Sequence, residues 1–148
     1  MWTIGETDKV ELALDWYNAF PKWLRFDEEK DDETFLTELK ESYNFLGSNG
    51  KPQAFVQAQQ VGDKIYEGHL YCDRSTDINL AVATIAYAKS CLFNDNIADT
   101  IVAMVNVKHK TLQNIILRAG FYSTGLFMWK GVSERGRIIE TEQFIVKR

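Results

Sequence analysis

The sequence predicts a mixed α/β (α+β) layer structure, and three observations carry that reading. The elements run in the order two helices, a hairpin, a helix, a strand, a helix and two closing strands. A short β-branched run, Ile101 to Val107, sits between two helical patterns as a buried strand does. No repeat, low-complexity tract or linker divides the 148 residues, and a 45% hydrophobic, 13% aromatic composition is enough for one sizeable core, so a single domain over 1–148 is expected.

Taken in order, a helix starts at Thr7 or Asp8, either of which can cap it, and carries Val10, Leu12, Leu14, Trp16, Tyr17 and Phe20 until Pro21 interrupts it. Six acids in the seven residues Asp27 to Glu33 lead into a second helix with Phe35, Leu36, Leu39, Tyr43 and Leu46 at helical spacing. Acids at a helix start favour the macrodipole, so this run reads as a solvated helix entry rather than a surface for a basic substrate. Gly47-Ser48-Asn49-Gly50-Lys51-Pro52 is the strongest breaker in the chain and is expected to end the helical region.

Residues 53–60 alternate as a strand does, Val61-Gly62-Asp63-Lys64 turns, and 64–72 returns as the second arm of an antiparallel hairpin. Asp77 or Thr76 caps a helix with Ile78, Ala81, Val82, Ile85, Ala86, Ala88, Lys89 and Leu92, closing near 93–96. After the strand at 101–107 a helix from Lys110 to Ala119 stops at Gly120, and strands 122–132 and 137–146 flank the turn Ser133-Glu134-Arg135-Gly136.

Composition excludes several classes. A net charge of -4 with a pI near 5.2 gives no phosphate-binding surface for nucleic acid. Cys72 and Cys91 lack the partners for a disulfide framework or a structural zinc site, which fits a reducing cytoplasm. The start Met1-Trp2-Thr3-Ile4-Gly5-Glu6 has no signal pattern, and the apolar runs are far short of a membrane span, so neither export nor a membrane anchor is expected.

The order of elements and the segment NVKHKTLQNIILRAGFYSTG, Asn106 to Gly125, resemble the GNAT (Gcn5-related N-acetyltransferase) superfamily over almost the whole chain. That family often shows Asn, an apolar residue three on, an apolar-aromatic pair, and Gly-Phe eleven and twelve residues after the Asn. The same register here holds His109, Leu112, Ile115, Ile116, Gly120 and Phe121. The resemblance implies a GNAT-like acyl-CoA N-acyltransferase fold, with a mixed, splayed sheet flanked by helices on both faces. It also implies acetyl-CoA as acyl donor, no metal, and a small-molecule or protein amine as acceptor. Phage-encoded GNAT-like proteins with a drifted cofactor loop look similar too.

Departures from the family pattern concern the site. The loop before the central helix usually reads Arg/Gln-x-x-Gly-x-Gly/Ala, whose glycines let backbone amides meet a diphosphate. Here, following Cys72, it reads Asp73-Arg74-Ser75-Thr76-Asp77-Ile78-Asn79, without glycine. Cys72, Asp73, Arg74, Ser75, Thr76, Asp77, Asn79 and His109 are the cofactor-binding candidates that the resemblance implies. Arg74 can pair with phosphate and the Ser75 and Thr76 hydroxyls can donate, whereas Asp73 and Asp77 bring negative charge to an anion position. His109, in the usual Asn position, is also an ordinary helix cap. Ile116 occupies the place of the family's tyrosine general acid, and Tyr122 follows Gly-Phe at a strand start.

Glu67 and His69 share one face of the hairpin's second arm with Ile65 and Tyr71 and are the catalytic candidates, Glu67 as base with His69 beside it. The alternative is a half-exposed polar pair on a hairpin face. Ser75 or Ser90 with a histidine, Cys72 or Cys91 as nucleophile, and a metal site on His69 and His109 all lack the required spacing. Trp2, Trp16, Trp23, Trp129, Tyr17, Phe20, Phe26 and Phe35 can line an acceptor cleft, pack a core or form a partner surface. Two functions compete: an acyl-CoA-dependent N-acyltransferase, and an inactive GNAT-like binding or structural protein. The second works as a homo-oligomer or with phage structural proteins in head assembly or the virion.

Overall fold

The computed structural model describes residues 1–19, 31–132 and 138–148. In chain order its elements are β1 (Trp2–Glu6), α1 (Val10–Ala19), α2 (Asp32–Lys40), β2 (Tyr43–Asn49), β3 (Pro52–Gly62), β4 (Ile65–Cys72), α3 (Ile78–Asn94), β5 (Thr100–Asn106), α4 (Lys110–Arg118), β6 (Tyr122–Val132) and β7 (Ile138–Lys147). They form a mixed α/β structure around one seven-stranded sheet in the order β1-β2-β3-β4-β5-β7-β6. Every neighbouring pair is antiparallel except β4 and β5.

Two expectations need correction at the N-terminal end. The second helix does not continue through Tyr43 and Leu46; it ends at Lys40, and Tyr43–Asn49 is a strand. The helix stops because its last carbonyls are taken from outside: the Ser42 hydroxyl donates to the Glu38 carbonyl at 2.7 Å, and Asn44 Nδ2 donates to the Leu39 carbonyl at 2.7 Å. The residues that follow were spaced to fit a helix but are used with a period of two. The breaker at 47–52 therefore ends no helix; Gly47 to Asn49 belong to β2, Pro52 opens β3, and Gly50-Lys51 turns between them, with Gly50 at φ 75°. Trp2–Glu6, to which no strand was assigned, pairs with β2 as the sheet edge.

Helix entries follow local chemistry. Asp31 caps α2, accepting the Thr34 N–H at 2.7 Å, and this backbone bond holds its carboxyl below the usual carboxylate range. Asp31, Asp32 and Glu33 thus serve a helix start, as expected of the acidic run; residues 27–30, and Phe20, Pro21, Trp23, Phe26 and the turn at 133–136, lie outside the described residues. Gly120, at φ 98°, ends α4 in the left-handed region and is followed by buried Phe121.

Helices cover both faces. On β3, Ala54, Val56 and Ala58 join the core beneath α3 and α4, while Phe55 joins Val10, Ala13, Phe35 and Leu39 beneath α1 and α2. That explains why residues 53–58 are buried without interruption. Among them Gln57 is satisfied: its Nε2 donates to the Ser42 hydroxyl at 3.0 Å and its Oε1 accepts from the Tyr71 hydroxyl at 3.0 Å. No described helix is long and apolar enough to cross a membrane.

Candidate active site

Parallel strands β4 and β5 pair only through Ile65 with Thr100, Tyr66 with Ile101 and Glu67 with Val102. Beyond Glu67 they separate, and the opening continues into a cavity of about 540 Å³ reached by side chains from both faces of the sheet. A pocket of this volume is in the range of small-molecule sites. On the α1 side its wall includes Trp16, Tyr17, His69 and Tyr71; on the other it is built by α3, α4 and the inner positions of β3, β4 and β5.

The alternation of β4 decides what reaches the cavity from the α1 side. Glu67, His69 and Tyr71 share a face, as the period of two predicts, while Tyr66 and Leu70 turn to the opposite core. His69 is on the cavity wall. Glu67 is not among the lining residues, but its Oε1 lies 3.3 Å from His69 Nε2, with 30% of the Glu67 side chain and 22% of the His69 side chain exposed. The structure therefore brings the two candidates together and puts the histidine forward.

Tyr71 stacks on His69 with ring centroids 6.4 Å apart and meets Phe35 and Tyr17 edge-on. Burial, then the neighbouring Tyr17, Glu38 and Glu67, push the Tyr71 hydroxyl well up, so it remains a neutral phenol whose proton goes to Gln57. The aromatic faces of Tyr17, Tyr71 and Trp16 suit a cationic or aminated group.

At the other end of the opening lies the loop between β4 and α3. Cys72, Asp73, Arg74 and Thr76 line the cavity; Ser75, Asp77 and Asn79 do not. The loop's polar side chains bond largely to the loop itself. Asp77 caps α3 by accepting the Asn79 N–H at 2.8 Å, the Ser75 hydroxyl donates to Asp73 at 2.6 Å, and the Thr76 hydroxyl is within 2.6 Å of the Asp73 carbonyl and 2.7 Å of the Gln53 carbonyl. The Ser75 bond, helped by Lys51 at 3.5 Å, holds the Asp73 carboxyl below its usual range, so the loop keeps its negative charge. Arg118 is held by Asn79 Oδ1 at 2.6 Å. Exposed Arg74 is the cation the loop itself contributes.

Cys72 is no nucleophile: burial pushes its thiol up to about 12, and it stays protonated. Ile116 is buried on the cavity wall where the family's tyrosine stands, so that position supplies no proton. Tyr122 is 49% exposed at the start of β6 and Trp129 71% exposed farther along it, and neither lines the cavity. Among the described residues no group of three His, Cys, Asp or Glu side chains is placed to hold a metal.

His109 does two things. Its Nδ1 accepts the Leu112 N–H at 3.2 Å, capping α4, and its ring forms part of the cavity wall. Burial depresses its pKa, in keeping with a neutral imidazole that must accept this bond. The unfolded chain takes up a proton near the ordinary value of 6.5 and the folded chain only at lower pH, so the bond stabilises the fold above 6.5 and is lost as pH falls below it. Urea unfolding at pH 7.5 and pH 5 is expected to show a smaller drop in His109→Asn, which keeps a capping side chain without a titrating one. Equal drops in both proteins would detach the cap from this titration.

Sequence reasoning missed Asn106, buried at the end of β5 on the wall, and Lys89, whose Nζ donates to the Ala119 carbonyl at 3.0 Å beside the cavity. A polar residue closing a β-branched run was the available signal for Asn106. Lys89 stands in the helical stripe read from the sequence, where nothing marks it as a site residue.

Comparison with known proteins agrees with this geometry. No protein-family model and no curated protein matches this sequence. Solved structures do match. A GNAT-family acetyltransferase from Streptococcus pneumoniae is similar at a TM-score of 0.75 and 17% identity, over 100% of both chains. A spermidine N-acetyltransferase from Vibrio cholerae, in complex with CoA and spermine, is similar at a TM-score of 0.75 and 15% identity, over 99% of this chain and 95% of that one. At such identities the likeness shows the fold: this chain has the GNAT acyl-CoA N-acyltransferase fold.

Proposed function

We propose that this protein is an acyl-thioester-dependent N-acyltransferase acting on an amine. The observation that carries the reading is the opening between parallel β4 and β5, which joins a wall bearing His69 and Tyr71 on one side of the sheet to an apolar interior on the other. The fold neighbours support it, one of them being a CoA complex of an N-acetyltransferase. Of an acyl-CoA, the residues present fit the acyl-pantetheine arm: beyond Glu67 and Val102 the facing edges of β4 and β5 are unpaired, so their backbone groups can meet the amides of an extended arm. Toward the diphosphate the loop offers the exposed Arg74, opposed by the Asp73 carboxylate.

When bound, the thioester supplies an activated acyl carbon. The chain's own part is to bring the amine to it in neutral form. His69 and Glu67 are placed for this as a pair: with Nε2 3.3 Å from the Glu67 carboxylate, the imidazolium formed as the amine gives up its proton is stabilised by that charge. Tyr71 and Tyr17 flank the path, and the phenol oxygen of Tyr71 keeps acceptor capacity for an N–H. The missing tyrosine at Ile116 leaves protonation of the departing thiolate to water.

The direct test is amine-dependent thiol release from short- and longer-chain acyl-CoA, read with a disulfide dye over a panel of alkylamines, polyamines and peptide N-termini. Release that requires both protein and amine is expected. Its absence with every donor and every amine defeats the enzymatic reading.

A further inference from the structure

The cavity has a polar end and an apolar end. Where β4 and β5 finish and α3 and α4 begin, its wall carries Asp73, Arg74, Thr76, Asn106, His109 and Thr111. From there the wall follows α3 through Ile78, Ala81, Ile85, Ala88 and Leu92, a stripe at helical spacing that covers roughly 20 Å at 1.5 Å per residue. Leu92 and Ile101 close the inner end, and both are buried. Facing the stripe are Ala58, Gly68 and Ala103, whose small side chains leave the space open, with Ile115 and Phe121 beyond. The charged group of this inner part, Lys89, is already bonded to the Ala119 carbonyl.

An acetyl group is too small to fill the inner part, and the arm's amides, which can meet the unpaired β4 and β5 edges nearer the polar end, find no polar side chain there other than Lys89. We propose that the apolar interior holds a medium-length acyl chain, making the preferred donor a longer acyl thioester rather than acetyl-CoA. This rests on the acyltransferase reading and names its donor class.

The test is a titration of the intact protein with acetyl-, butyryl- and octanoyl-CoA by calorimetry, with thermal melting alongside. Each buried methylene contributes up to about fourfold in affinity, so a gain on the order of tenfold or more from acetyl to octanoyl is expected. Ala88→Phe fills the middle of the tunnel and is expected to bring the octanoyl-to-acetyl affinity ratio toward one. Gly68→Ala is the gentler variant: its new methyl meets nothing nearer than 3.8 Å, so the fold accepts it while the tunnel narrows. Acetyl-CoA binding as tightly as octanoyl-CoA overturns the chain-length proposal and leaves the acyltransferase reading standing. Failure of all three to bind overturns both.

Discussion

His69→Ala is expected to lower turnover by about a hundredfold or more while leaving thioester affinity within about twofold, because general-base catalysis is typically worth 10²–10⁴ and His69 does not lie on the donor's apolar wall. Glu67→Gln keeps an acceptor oxygen near Nε2 and removes only the charge, so a several-fold fall in kcat with unchanged KM is expected of a positioning residue. Steady-state kinetics on both variants, with calorimetry for the donor, separates the two roles. If Glu67→Gln costs more than His69→Ala, the proton acceptor is Glu67 and the imidazole is its support. If neither variant loses turnover, the proton leaves elsewhere and the face shared by Glu67, His69 and Tyr71 is structural.

The largest stability effect is expected at Gly47, well away from the chemistry. A Cβ there would stand 2.1 Å from the hydroxyl oxygen of Thr84 and 3.2 Å from a Leu80 methyl. Thr84 and Leu80 are fully buried on α3, and the Thr84 hydroxyl is bonded to the Leu80 carbonyl at 2.8 Å. Relieving the contact means breaking that bond and turning Thr84 within its packing, or moving β2 from α3. Gly47→Ala should cost about 2–3 kcal/mol, the upper part of the overpacking range, and lower Tm by roughly 5–10 °C for a chain of this size. Thr84→Ala combined with it removes the closest clash and should recover part of the loss, a coupling that adding the single effects would not give. A Gly47→Ala protein as stable as the parent would mean that α3 sits farther from β2 than described.

Gly47 also shows where reading the sequence failed. A glycine beside Ser, Asn, Gly and Pro looked like turn chemistry, and Gly50 does turn the chain; Gly47 is small because a helix about a quarter of the chain away in sequence passes over it. Phe35, Leu36, Leu39, Tyr43 and Leu46 looked like one stripe because apolar residues three or four apart fit a helix. The cap on α2 and the pairing of β2 with β3 divide them between two elements. Trp2–Glu6 carries too little alternation to announce a strand, and becomes one by pairing with β2.

Local chemistry was legible because it acts over a few residues. Hydrophobic period, the caps at Asp77 and His109 and the stop at Gly120 gave the helices from α3 onward, and the period of two put Glu67, His69 and Tyr71 on one face. The donor loop's lack of glycine was equally visible, and its departure from the family pattern already raised doubt about a diphosphate cradle. Two things needed the tertiary structure: that His69 and not Glu67 reaches the cavity, and that small residues on β3, β4, β5 and α3 leave a cavity between them. Each depends on how two strands part and where a helix crosses the sheet. Those distances are set by the packing of residues far apart in the chain, so no local pattern records them.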